Sequence, residues 1–363
     1  MHKGEGKGKV ILLGEHFVVH GAPALAAGVE NKAVVELEPS DKTDLITEQF
    51  VIREMSFAGI NAIFRAMDIK EKFSIHLTGD LPTTGGLGSS AAFCVALVKA
   101  LASYKGINLT KDEINKYAFE GEKAFHGNPS GIDNFMATYG GVVIFKKGEE
   151  FHNFIEPGVE LNLVVCYTGQ ISETPKMIEQ VRKFREGNNE RFTQLMDEAS
   201  ELVYRAAKSI EKGKIDELGI FMNQNQSLLS EIGVSLEKND EVVRIMTDSG
   251  ALGAKLTGGG GGGSCIALVR DKLAAKGVVM ALEKNGFDAF HTTIRLIAEF
   301  FQFFYGIIHF RIEFVCLVEC KIVYHFTGKL FFKRIVVFLC KSKHFIGNRF
   351  LFIQHFLYRL KIS

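Results

Sequence analysis

Four short segments carry residue types suited to chemistry on a phosphate. Pro82-Thr-Thr-Gly-Gly-Leu-Gly-Ser-Ser90 is a glycine-rich loop that runs directly into Ala91–Tyr104, an apolar, alanine-rich stretch that reads as a buried helix. Gly85, Gly86 and Gly88 allow a tight turn and let the backbone approach a ligand with no Cβ in the way. The helix start adds unpaired N–H groups and a positive dipole end, both suited to phosphate. Ser89 and Ser90 add hydroxyls for phosphate or a metal. The loop lacks the G-x-x-x-x-G-K-[ST] pattern of P-loops and the G-x-G-x-x-G of dinucleotide sites. Taken alone, it is equally an ordinary glycine turn with a serine cap.

The second segment runs from Glu122 to Asp133. A carboxylate near a helix end and another on the following Pro/Gly loop could hold Mg²⁺ and orient a hydroxyl nucleophile. The same spacing fits a solvated Glu122 paired with Lys123 or Lys116, and an Asp133 that caps a helix. The third segment is Lys9 with Glu15-His16, on either side of a short apolar run. These residues could meet in one cleft, or be a surface lysine and a packed histidine. The fourth is the six-glycine run Gly258–Gly263. Such a run could be a flexible linker, but its place before an apolar strand is more natural for a tight loop beside a ligand.

The elements that must position these segments alternate at short intervals. Strands are expected at Val10–Leu13, Ala33–Leu37, Phe73–Leu77, Gly140–Phe145, Leu161–Tyr167, Cys265–Val269 and Ala289–Ile294. Helices are expected at Asn61–Met67, at Pro175–Glu186, Glu190–Glu211 and Ile215–Ile232, at Glu241–Ser249 and at Lys272–Asn285. Thr110 and Glu113 form a capping-box pair that opens one more helix, ending near Phe125. The class is α/β or α+β, in two lobes dividing near residues 155–160. Cys94, Cys166 and Cys265 stand alone in apolar runs and read as buried thiols. The net charge of +1 argues against a large basic surface for nucleic acid. The polar, Gly/Lys-rich first nine residues do not form a secretory signal, so a cytoplasmic location is expected.

The four segments together carry a family resemblance. Lys9-Val-Ile-Leu-Leu-Gly-Glu-His16, followed by Val19-His-Gly21, resembles the first motif of the GHMP kinases in the form carried by mevalonate kinases. Pro82–Ala92 is similar to their phosphate-binding motif. Glu120-Gly-Glu122 with His126-Gly-Asn-Pro-Ser-Gly-Ile-Asp-Asn134 resembles the segment that holds a metal ligand and the catalytic aspartate. Lys255-Leu-Thr-Gly-Gly-Gly-Gly-Gly-Gly263 resembles the third motif. The order is the family's, over about residues 1–295, in the short form of archaeal or bacterial type.

The resemblance implies an α+β, two-lobed fold. Its N-terminal lobe, 1–158, would be like ribosomal protein S5 domain 2, and its C-terminal lobe, 159–295, ferredoxin-like. It implies ATP-dependent phosphorylation of the 5-hydroxyl of mevalonate, in isoprenoid biosynthesis. Asp133 would act on that hydroxyl with Lys9 beside it, and Ser90 and Glu122 would hold Mg²⁺. Glu15 and His16 would line the mevalonate pocket, joined by Thr174. Pro82, Gly85, Gly86, Leu87, Gly88, Ser89 and Ser90 would wrap the ATP phosphates, with Gly258, Gly259, Gly260 and Gly261 closing over them. The alternatives are another small-molecule kinase of the superfamily, such as a phosphomevalonate kinase, and a relative that binds without catalysis. No nucleic-acid or membrane partner is expected for residues 1–295; a homodimer is compatible with the sequence.

Residues 296–363 differ from the rest. They hold 14 of the 31 Phe and carry +7, against −6 for residues 1–295. They contain no Asp or Pro and one alanine, Ala298. Cys316 and Cys320 lie four apart with no second pair to complete a zinc set. The longest uncharged stretch, Phe300 to Phe310, is 11 residues, against the ~20 that a membrane span needs. The composition resembles AT-rich DNA read out of frame, so a frameshift or gene-annotation artefact beginning near Leu296 is expected; the rival is a basic, aromatic membrane-attaching tail. Truncation after Arg295 should therefore keep or improve soluble yield and leave activity intact, because all four segments lie upstream and a Phe-rich tail is an aggregation liability. An unfolded or inactive truncation beside an active full-length chain would make the tail structural.

Overall fold

The computed structural model describes residues 2–47, 54–82, 85–127, 129–149 and 152–294. The tail discussed above, and Thr83, Thr84 and Asn128 within the motifs, lie outside these residues.

A first sheet is built on β2 (Ala24–Pro39), a 16-residue strand. On one side β2 pairs antiparallel with β1 (His2–Leu13) along most of its length. On the other side its two halves pair with β4 (Phe73–Gly79) and β5 (Val142–Phe145). β3 (Asp44–Ile46) and β6 (Asn153–Ile155) complete the sheet as β3-β4-β2-β5-β6, with β1 beside β2. Its helices are α1 (Glu54–Ala66), α2 (Ser89–Lys105), α3 (Lys111–His126) and α4 (Ile132–Tyr139). α3 opens on the expected capping box: Thr110 Oγ1 accepts the N–H of Glu113, and Glu113 Oε2 accepts the N–H of Thr110. From Ala91 to Ala102 every residue of α2 but Lys99 is buried, the pattern of a helix inside a core.

The expectation that the first strand starts at Val10 is corrected by the structure, in which it starts at His2. The reason is glycine spacing. Gly4 and Gly6 alternate along β1 and so share a face. α2 lies on that face at backbone distance: a Cβ on Gly6 would come within 2.0 Å of the Ala92 carbonyl oxygen, and one on Gly4 within 2.0 Å of that of Ala96. The residues that weaken an isolated strand are what let this one hold the central helix.

The second sheet is antiparallel, in the order β10-β7-β9-β8. It comprises β7 (Leu161–Tyr167), β8 (Gly253–Thr257), β9 (Ser264–Val269) and β10 (Asp288–Ile294). Between β7 and β8 run α5 (Thr174–Gly187), α6 (Asn189–Glu211), α7 (Ile215–Glu231) and α8 (Glu237–Asp248), and α9 (Lys272–Lys284) joins β9 to β10. This is the β-α-β-β-α-β, ferredoxin-like order, with four helices where that order has its first one. The fold is thus α+β with two sheets. No strand was expected at β8, whose five residues are all buried. No helix among the described residues is long and apolar enough to cross a membrane.

Gly6→Ala should destabilise the protein by about 1–3 kcal/mol, the usual cost of overpacking, because the methyl meets backbone rather than a movable side chain. Urea unfolding checks this: the midpoint should fall at unchanged slope. An unchanged midpoint would mean that β1 and α2 do not touch as described.

Candidate active site

Lys9 lies on β1, and its ammonium reaches two partners. It donates to the carbonyl of Gly86 at 3.0 Å and stands 3.0 Å from Asp133 Oδ1. Its backbone N–H donates to Leu87 O at 2.9 Å. One residue therefore ties the first glycine loop to the aspartate by both main chain and side chain. Gly88, which caps α2, has φ +75°, and a Cβ there would press on the Lys9 side chain at 3.1 Å. The N-cap residue of α2, Gly88, has no side chain to take up the N–H groups of the first turn, and a helix start of this kind suits an anion.

Asp133 sits in the first turn of α4, not on a loop as expected. The Pro/Gly segment turns into the helix at Gly131, whose φ is +86°. Glu122 is buried near the end of α3. It is not a solvated partner of Lys123, which pairs with Glu120. Burial, and secondly the charge of Asp133, push the Glu122 carboxyl up to about 8; the Ser90 hydroxyl, bonded to it, and Lys9 act the other way. Ser90, Glu122, Asp133 and Lys9 therefore form one electrostatic cluster at the start of α2. Ser89 has its hydroxyl proton committed to Pro82 O at 2.5 Å, which closes the loop on itself.

A second cluster faces the first. The turn after β1 is tight: Gly14 has φ +95°, and His16 takes φ +61°, which is uncommon for a residue with a side chain. His16 Nε2 donates to Gly259 O at 3.0 Å, which leaves Nδ1 as the acceptor. Burial lowers the His16 pKa to about 4, so the ring is neutral at pH 7. Thr174, exposed at the start of α5, borders the same glycine: a Cβ on Gly259 would come 2.4 Å from Thr174 Oγ1. The six-glycine run is pinned rather than a free linker. Ser172 Oγ donates to Gly260 O at 2.7 Å, the Gly261 N–H to Val234 O at 2.9 Å, and the Gly262 N–H to Asn239 Oδ1 at 3.0 Å. The two glycine loops touch: a Cβ on Gly258 would lie 3.4 Å from Gly86 O.

Glu15 was expected to line the pocket, and the structure places it 1% exposed. One carboxylate oxygen takes a short ion pair from Lys255, and the other accepts from Asn225 Nδ2 at 3.1 Å. Burial raises its pKa against the pull of Lys255. Lys255, Thr257 and Asn225 are the site residues that sequence reasoning left without a role. The signal for Lys255 was there: a lysine between Ala254 and Leu256, in a strand buried at every position.

Among the described residues no three His, Cys, Asp or Glu side chains gather as a metal cage. Ser90 and Glu122 beside Asp133 nevertheless fit Mg²⁺, which keeps one or two carboxylates and takes other oxygens from phosphates and water. A buried carboxylate, Glu122, set beside the negative charge of Asp133 is an environment that a cation relieves.

Comparison with known proteins agrees with this geometry. Residues 54–141 match the GHMP kinases N terminal domain, and residues 206–288 match the GHMP kinases C terminal family. The chain is 34% identical over 296 residues to the mevalonate kinase of Pyrococcus furiosus, covering 73% of this chain and 88% of that one. It is 32% identical over 306 residues to the mevalonate kinase of Aeropyrum pernix, covering 79% and 94%. The crystal structure of L. major mevalonate kinase in complex with R-mevalonate superposes with a TM-score of 0.77 at 32% identity, over 82% of this chain and 97% of that one. Relatives this similar, covered over most of their length, place the chain in the mevalonate kinase family of the GHMP kinases.

Proposed function

We propose that this chain transfers the γ-phosphoryl group of ATP to the 5-hydroxyl of mevalonate, giving 5-phosphomevalonate and ADP. The observation that carries the mechanism is the position of Lys9, between Asp133 and the Gly86 carbonyl. That contact brings a carboxylate and a fixed cation to the mouth of a loop built for phosphate. The attacking hydroxyl forms the new O–P bond as the bond from the γ-phosphorus to the bridging oxygen breaks. Its proton passes to the Asp133 carboxylate. Lys9 holds that carboxylate in place and offsets negative charge on the transferring group. The open N–H groups of α2 bind phosphate oxygens, and Gly258–Gly261 closes from the opposite side. Ser90 and Glu122 would hold Mg²⁺, which would supply charge neutralisation on the phosphates. Neutral His16, oriented through Gly259, and Thr174 border the substrate side. ADP release measured with mevalonate, phosphomevalonate, homoserine and galactose tests the assignment. Turnover confined to mevalonate is the expected result, and preference for phosphomevalonate would overturn it. A cytoplasmic location accords with this reading.

Asp133→Asn should nearly abolish turnover while leaving the fold and nucleotide binding in place. General-base contributions run about 10²–10⁴-fold, so kcat at saturating mevalonate should fall by that order. Lys9→Met should be impaired too, and the double variant should lose less than the product of the single losses, since the pair acts as a unit. A kcat for Asp133→Asn within about threefold of wild type, far short of the general-base range, would reduce Asp133 to a helix-turn residue.

Ser90→Ala and Glu122→Gln should each raise the Mg²⁺ concentration needed for half-maximal rate; an unchanged Mg²⁺ titration in both variants removes them from the metal site. Glu122 also sets a pH dependence. In the folded protein its pKa is pushed up to about 8, above the ordinary glutamate value of 4.5. The native state thus holds more protons than the unfolded chain between those values, and this contribution to stability is lost as pH rises through the window. Without Mg²⁺, Glu122→Gln should flatten that decline in melting temperature, and parallel profiles for variant and wild type would count against it.

A further inference from the structure

Lys255 and Thr257 alternate along β8 and share one face. Both hold the backbone of the same β1 residue, Ile11. Thr257 Oγ1 accepts the N–H of Ile11 at 3.0 Å and donates to its carbonyl at 3.2 Å. Lys255 Nζ donates to that carbonyl at 3.4 Å. Ile11 follows Lys9 by two residues, on the strand that pairs, among the described residues, with β2 alone. Lys255 also pairs with Glu15, next to His16. Directly after Thr257 the chain becomes the second glycine loop. A buried lysine–glutamate pair is costly, and apolar residues often fill such space as well or better. Here the pair sits where three site elements meet.

We propose that Lys255 and Thr257 are positioning residues that lock the strand entering the second glycine loop onto β1. The inference rests on the kinase reading above. Gly258–Gly261, His16 and Lys9 thereby keep one spacing when both substrates are bound. Neither residue reaches the reacting atoms; they act through Ile11 and Glu15. Such spacing matters because a ~1 Å misplacement of reacting groups can cost on the order of 10²-fold in rate.

The test compares Thr257→Val, which keeps the shape and loses both hydrogen bonds, with Thr257→Ser, which keeps the hydroxyl. Rates are corrected for the folded fraction. Thr257→Val should lose about tenfold or more in kcat/KM and bind a non-hydrolysable ATP analogue more weakly by calorimetry, while Thr257→Ser stays near wild type. Equal values for the two variants would overturn the proposal. For Lys255, the cycle of Lys255→Met, Glu15→Gln and the double variant decides. If Lys255 acts through Glu15, adding Lys255→Met to Glu15→Gln costs little more; losses that multiply would overturn this half. Should Thr257→Val not fold, the Glu15 cycle carries the decision. If the wild type releases no ADP with mevalonate, the functional reading fails, while analogue binding still separates Val from Ser.

Discussion

Among the described residues β1 has a strand partner on one side only, and the site is assembled on its other edge. A buried N–H or C=O left without a partner costs about 1–3 kcal/mol, so that edge has to be covered. The Lys9 N–H is taken by Leu87 of the first glycine loop. Two residues on, both backbone groups of Ile11 are taken by Thr257, at the threshold of the second. The first glycine loop and the loop that faces it are therefore held by alternate positions of one strand. The Lys9 side chain extends the same edge to Asp133.

The glycines of β1 serve the same arrangement from the other side. Gly4 and Gly6 bring α2 to backbone contact, which fixes the helix along its axis relative to Lys9. Ser89, Ser90 and the open N–H groups of the first turn are set by that contact. A side chain at either glycine would separate the helix start from the lysine that works with it.

Charge is distributed in a site that is largely dry. Lys9 is almost fully buried between a carbonyl and a carboxylate. Glu122 is held nearer its neutral form by burial and by Asp133. Glu15 and Lys255 neutralise each other with no access to water. The first two sets are poised toward ligand; the third is closed and sets geometry. In a low-dielectric setting each is felt more strongly than in water. Preorganised charge of this kind is what phosphoryl transfer asks of a protein.

Much of the site was legible in the chain because its chemistry is local. The loop before α2, the glycine run and the Thr110–Glu113 cap each express what adjacent residues do to their own backbone, and apolar periodicity located most helices and the strand Leu161–Tyr167. Long-range pairing was not legible. The extension of β1 back to His2 depends on a helix 90 residues away, because a Gly-rich polar stretch becomes a strand only when something packs on its glycines. β8 was missed because its lysine reads as polar until Glu15, 240 residues distant, neutralises it. Glu122 stood open as a solvated group and Asp133 as a helix cap until the fold buried the one and set the other beside Lys9. The sequence by itself determined which backbones turn and which faces are apolar, since neighbours decide those. Only the tertiary structure decided which charges meet, since desolvation and pairing depend on residues that the chain brings together late.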